Sequence, residues 1–168
     1  MAHLRRLLPA LLALLALGCS ASLPASSEVA VRVGYVALDP QTDSPVLVLE
    51  ELDGDRLLPI WIGLPEARSI AAQLNSVRSP RPGTHDLAKR VIDGLAGEVE
   101  RVVVTDLSDG VYYALLFIRT SRGLLEIDAR PSDAIAIALR FEAPLFVREA
   151  VFDASGRVGE PPDRGQGV

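Results

Sequence analysis

The amino-acid sequence points to an α+β fold whose two like halves share one curved sheet. Short apolar-alternating runs occur in threes, closed by turn residues such as Asp109-Gly110 and Ser121-Arg122-Gly123. Each trio is followed by apolar residues at helical spacing. Sliding the chain by 67 positions without gaps brings Val36 onto Val103, Asp39 onto Asp106 and Leu57, Leu58 and Ile60 onto Leu124, Leu125 and Ile127. Glu66 then meets Asp133, and Ala67, Ile70 and Ala71 meet Ala134, Ile137 and Ala138. Three strands with one apolar face cannot hide that face alone, so the halves are expected to share a sheet.

The first 19 residues read as an export signal rather than as fold. Arg5 and Arg6 precede an apolar run at residues 7–17, then Gly18-Cys19. That run is shorter than the roughly 20 apolar residues of a spanning helix. Cys19 is the only cysteine, so no disulfide can form within the chain. Its place after Ala16-Leu17-Gly18 resembles a bacterial lipobox, with Cys19 as the lipidated residue. The other reading is ordinary secretion, with cleavage near Ala21 or Ala25. Residues 20–28 form a small, polar tether, 29–153 the domain, and 154–168 a Gly/Pro-rich tail expected to be disordered. The expected location is the bacterial envelope, as a membrane-anchored lipoprotein, or else a secreted or periplasmic form.

Within the domain, residues 29–38 alternate through Val29, Val31, Val33 and Tyr35. Residues 46–52 and 57–62 form a hairpin across Asp53-Gly54-Asp55. Pro65 and Glu66 suit a first helical turn, with Ala67, Ile70, Ala71 and Leu74 on one face. After a Pro/Arg loop at 78–83, Thr84 is the expected N-cap of a second helix. That helix is expected to bury Leu87, Val91 and Leu95 and to end at Gly97. Strands follow at 98–106, 111–119 and 124–129, and Pro131 opens a helix to about Phe141. Trp61 and Phe117 are expected in the core.

The net charge is −5, and without Arg5 and Arg6 the 17 basic residues fall to 15 against 22 acidic ones. That balance argues against a broad electrostatic nucleic-acid face but leaves room for a local basic patch. Arg78, Arg81, His85, Lys89 and Arg90 form the one basic cluster, with no interleaved aromatics, so base stacking is not indicated.

The polar residues densest in apolar surroundings are Asp128, Arg130, Ser132 and Asp133, at a strand-to-helix joint. Unpaired buried charge costs several kcal/mol, so they must pair, cap the helix or face a ligand. In the structural alternative Arg130 pairs with Asp128 and Asp133 while Ser132 or Asp133 caps the helix. In the chemical one Asp128 and Asp133 hold Mg²⁺ or Mn²⁺ and Arg130 grips a phosphate. His85 with Asp86 is either a helix start, Asp86 pairing with Arg90, or a proton-transfer site. One histidine and no cysteine cluster argue against a typical zinc site.

Four blocks carry a family resemblance: Leu58-Pro59-Ile60-Trp61-Ile62-Gly63 with Glu66-Ala67; Arg81-Pro82-Gly83-Thr84-His85-Asp86-Leu87; Val103-Val104-Thr105-Asp106-Leu107 with Asp109-Gly110 and Tyr113-Ala114; and Ile127-Asp128-Ala129-Arg130-Pro131-Ser132-Asp133-Ala134. Together they resemble the bifunctional nuclease family, over about residues 29–152. The resemblance implies two β(3)α(2) repeats on one curved, barrel-like sheet, nuclease action on DNA and RNA, and a homo-oligomer. The first helix departs from the family pattern in carrying Arg68, Ser69 and Gln73, where relatives are often more apolar.

The leading expectation is therefore a divalent-metal-assisted phosphodiesterase, exported and anchored through Cys19. Its expected catalytic set is His85, Asp86, Asp128, Arg130, Ser132 and Asp133, with Asp128 and Asp133 on the metal. Glu66, Arg81, Thr84 and Lys89 are expected to contact nucleic acid. The rival is a non-enzymatic envelope module that binds a small anion or a partner protein.

Overall fold

A computed structural model describes residues 27–156. The signal, Cys19 and most of the tether and tail lie outside the described residues. The elements in order are β1 (Glu28–Asp39), β2 (Ser44–Glu51), β3 (Leu57–Trp61), α1 (Leu64–Leu74), α2 (Thr84–Gly94), β4 (Glu98–Ser108), β5 (Val111–Thr120), β6 (Gly123–Ala129), α3 (Pro131–Phe141), β7 (Leu145–Arg148) and α4 (Glu149–Ser155). α4 thus runs past residue 153, the expected end of the domain.

One seven-stranded sheet is formed, in the order β3-β2-β1-β7-β4-β5-β6. The unforeseen β7 joins the halves, antiparallel to β1 and parallel to β4. The second half therefore carries β7 and α4 beyond the first half's pattern, and a duplication is not established by the architecture.

The expected barrel-like closure is corrected to an open, strongly curled sheet. The register shifts at Val33/Tyr35 in β1 and at Val99/Arg101 and Val104/Asp106 in β4 are bulges, which bend strands. The curl brings the Tyr112 hydroxyl of β5 to donate to the Pro59 carbonyl of β3 at 3.0 Å. Burial pushes the Tyr112 hydroxyl up to about 12. No strand ladder joins β3 to β6 among the described residues, so the seam stays open.

The core lies inside the curl, where Leu47, Leu49, Leu58, Ile70, Ile135 and Val147 are fully buried. Each such side chain contributes about 1.5–3 kcal/mol. Phe117 is buried as expected. Trp61 is only half-buried, and its indole N–H donates to Asp39 at 3.0 Å.

Local chemistry explains the turns. Asp109 and Gly110 both take positive φ, 51° and 77°, the conformation a two-residue hairpin needs. The α2 ending differs from expectation. Ala96, with φ 52°, is the left-handed residue, and Gly97 serves a close approach instead. A Cβ on Gly97 would lie 3.1 Å from Ile92 Cγ2 and 3.2 Å from Ile118 Cγ2.

Candidate functional site

Three helices bring their first turns to one cleft of about 650 Å³. Pro65 at the start of α1 and Pro131 at the start of α3 fix two of those starts. The third is set by Asp86, whose Oδ2 accepts the Gly83 backbone N–H at 2.8 Å. Gly83, not Thr84, is therefore the N-cap, and Thr84 is helical. The first turns supply Glu66, His85 with Asp86, and Asp133.

A continuous hydrogen-bonded chain crosses the three helices. Arg140 Nη2 donates to Ser69 Oγ at 3.0 Å. Ser69 Oγ lies 2.9 Å from His85 Nδ1, and His85 Nε2 lies 3.1 Å from Asp133 Oδ1. Arg130 Nε donates to Asp133 Oδ2 at 2.7 Å, and Arg130 Nη2 to Glu66 Oε1 at 2.8 Å. Arg140 also donates Nε to Asp86 Oδ1 at 2.6 Å and Nη1 to the Ala136 carbonyl at 2.7 Å.

Burial sets the electrostatics. Burial pushes the Asp133 carboxyl up, but bonds from Arg130 and His85 outweigh it and hold the carboxyl below its ordinary value. The Arg140 bond, helped by the Gly83 N–H, lowers Asp86 likewise. Asp133 raises Arg130, with Glu66 contributing.

His85, Asp86, Arg130, Asp133, Glu66, Thr84 and Arg81 all line the cleft. Asp128 does not, and it makes no side-chain bond among the described residues. Arg130 therefore pairs with Glu66 rather than with Asp128. The reason is local: β6 ends at Ala129, and Arg130 is already the N-cap of α3, out of strand alternation. Ser132 is buried beyond the cap and outside the cleft. Lys89 turns away, bonded to Asp93 at 2.8 Å and stacked 4.4 Å from the Phe141 ring.

The expected burial of Leu87, Val91 and Leu95 is also corrected, for they are 58%, 52% and 75% exposed. Helix α2 instead turns His85 and Asp86 toward α3. A buried Arg140 requires a carboxylate, and leaving it unpaired would cost about 3–5 kcal/mol. That demand sets the roll of α2. Asp86 is occupied by Arg140, so it does not form the expected pair with Arg90.

The chain's acid balance hides a basic cleft. Six arginines line it, Arg68, Arg78, Arg81, Arg90, Arg130 and Arg140, against three acids, Glu66, Asp86 and Asp133. Arg68, Arg78, Arg81 and Arg90 form no salt bridge among the described residues. The sequence marks Ser69 only as a departure from the family pattern and does not single out Arg140. Their signals are a polar stripe Glu66, Ser69, Gln73 on an apolar helix, and one arginine closing the apolar run 134–139.

The donor set does not fit a metal held by Asp128 and Asp133. Both Asp133 oxygens are taken by Arg130 and His85, and Asp128 stands apart. No group of three metal-ligating side chains occurs among the described residues.

Comparison with known proteins gives consistent relatives. An uncharacterized protein of Mycobacterium tuberculosis (strain CDC 1551 / Oshkosh) is 44% identical over 127 residues, 75% of each chain. Bifunctional nuclease 1 of Arabidopsis thaliana is 33% identical over 136 residues, 74% of this chain and 42% of the relative. Bifunctional nuclease 1 of Oryza sativa subsp. indica is 31% identical over 109 residues, 62% of this chain and 33% of the relative. The chain thus matches less than half of each of these two plant nucleases. The model of the bifunctional nuclease domain matches residues 47–159, which hold helices α1, α2 and α3 and every residue of the cleft, and the chain belongs to that family.

Proposed function

We propose that this cleft binds the phosphodiester backbone of DNA or RNA and hydrolyses it. One observation carries the reading: four arginines without ion-pair partners among the described residues share a cleft with a His–Asp pair whose histidine is buried. Phosphate oxygens would complete the free guanidinium bonds, and helix N-termini favour the same anions. His85 moves the proton. Arg130, whose side chain is 66% exposed, neutralises charge growing on the phosphoryl group. The names of the plant relatives point the same way.

The test is turnover of single-stranded DNA and RNA by the purified chain, with and without Mg²⁺ or Mn²⁺. The metal arm decides whether a divalent cation assists. Asp133→Asn should lower turnover by about 10²–10⁴-fold. Full activity in that variant would remove Asp133 from the reaction. Arg81→Ala should reduce the salt slope of single-strand affinity by about 0.7.

Export and lipid attachment at Cys19 belong to this proposal as well. Labelled palmitate should enter the chain in a bacterial host and be lost in Cys19→Ala. We also read the chain as a homo-oligomer. The support is the exposed row Leu87, Val91 and Leu95 and the apolar edge strand β6, with Leu124, Leu125 and Ile127 exposed.

The rival envelope module draws on one feature, the full engagement of the Asp133 oxygens. It expects the arginines to bind a small anion with no nucleic acid consumed.

A further inference from the structure

The hydrogen-bonded chain has a fixed polarity. A guanidinium can only donate, so Ser69 Oγ accepts from Arg140. An ionised carboxylate can only accept, so His85 Nε2 carries a proton toward Asp133. The neutral imidazole then offers only Nδ1 as an acceptor, and Ser69 donates its hydroxyl proton there. His85 is 8% exposed with both ring nitrogens occupied. A proton taken up at Nδ1 must therefore arrive through the Ser69 hydroxyl. Ser69 itself lines the cleft.

We infer that Ser69 is the nucleophile of a Ser69–His85–Asp133 triad that cleaves phosphate esters through a phosphoserine. A nucleophile within bonding reach of a base, with a third group orienting that base, is the arrangement such catalysis needs. Asp133 fixes the imidazole and balances the imidazolium. Arg140 adds a cation 3.0 Å from the oxygen that develops negative charge. Arg68 and Arg130 line the same cleft, where their guanidiniums would meet the phosphoryl oxygens of a bound substrate.

The step balances with water as the only co-reactant. Ser69 Oγ forms a bond to phosphorus as its proton passes to His85 Nδ1. The phosphorus–oxygen bond to the leaving nucleotide breaks, and the imidazolium proton goes to that alkoxide. Water then attacks the phosphoserine and gives its proton to Nδ1. Ser69 leaves with the electron pair and recovers the proton. Two displacements at phosphorus give net retention of configuration.

The substrate class rests on the phosphodiesterase reading, whereas the reactivity of Ser69 does not. The purified full chain is treated with diisopropyl fluorophosphate, and the adduct is mapped by peptide mass spectrometry. We expect one diisopropylphosphoryl group on Ser69, formed at least ~100-fold more slowly in Asp133→Asn. Turnover of single-stranded DNA is followed in parallel, with Ser69→Ala expected to lose on the order of 10³-fold or more. Labelling at Ser69 without turnover supports the triad and overturns the nucleic-acid substrate. An unlabelled Ser69 in folded wild-type protein overturns the triad, and so does full turnover by Ser69→Ala. In those cases the nuclease reading stands or falls on the wild-type assay alone.

Discussion

Arg130 Nη2 lies 2.8 Å from Glu66 Oε1, so the residue that opens α3 grips the first turn of α1. Its Nε holds Asp133 at the same time. Glu66 and Asp133 are the acids that coincide when the chain is shifted by 67 positions. One guanidinium therefore clamps the first turns of α1 and α3. With its side chain 66% exposed, the clamp adds little stability, about 0.2–1 kcal/mol per pair. It is well placed for substrate. Arg130→Ala should change the melting temperature by no more than a few degrees while lowering turnover by about 10–100-fold. Thermal melts and initial rates on one preparation separate the two effects. A large loss of stability with unchanged rate would make Arg130 a structural clamp only.

Acid should loosen the cleft, and neutral pH should leave it intact. Asp133 and Asp86 both have folded values below the ordinary 3.8. Their contribution to stability is fully present above the unfolded value near 3.8 and is lost as pH falls through the lowered folded values. Unfolding free energy should thus hold steady as pH falls to about 4 and decline below it. Asp133→Asn, which no longer titrates, should show a shallower decline. Urea titrations at several pH values read the slope directly, and equal slopes in the two proteins would deny Asp133 a part in it.

Much of the scaffold is legible in the sequence because strand alternation and turn residues act locally. Asp109-Gly110 specifies its hairpin, and Pro131 specifies the start of α3, without help from distant contacts. The closing pieces are not legible in this way. β7 has four residues and is defined by its neighbours β1 and β4, and the openness of the sheet is set by bulges and by Tyr112 reaching Pro59. In the site, Glu66, His85, Arg130 and Asp133 stand out as charged residues at helix starts. Ser69 does not, because a serine in a helix acquires meaning only from what faces it. Nor does the orientation of α2 emerge from its apolar row. Leu87, Val91 and Leu95 have a core-like pattern, yet Arg140, sequestered on another helix, outbids them for the inward face.

Arg140 and Asp86 make an asymmetric pair. The Arg140 side chain is 8% exposed and that of Asp86 is 37% exposed. Replacing Arg140 by Met leaves a carboxylate that water can still reach, and the cost should be about 1–3 kcal/mol. Replacing Asp86 by Ala leaves a buried guanidinium short of its counter-charge and removes the Gly83 cap, at about 3–5 kcal/mol. Denaturant unfolding should therefore rank Asp86→Ala below Arg140→Met. The opposite order would mean that Ser69 and the Ala136 carbonyl satisfy Arg140 without Asp86.

The outward row on α2 predicts self-association. Leu87, Val91 and Leu95 recur every four residues, so they form one stripe down the helix. Edge strand β6 adds Leu124, Leu125 and Ile127, with backbone groups on its outer side that pair with no strand among the described residues. Monomers rarely leave such surfaces bare. Sedimentation at micromolar concentration should give twice the monomer mass, and Val91→Glu with Leu125→Lys should return the chain to monomer. Neither site touches the cleft, so the cleavage rate per subunit should persist in the double variant. A monomeric wild-type chain would reassign both stripes to some other partner. An oligomer that survives the double variant would place the contact elsewhere on the surface.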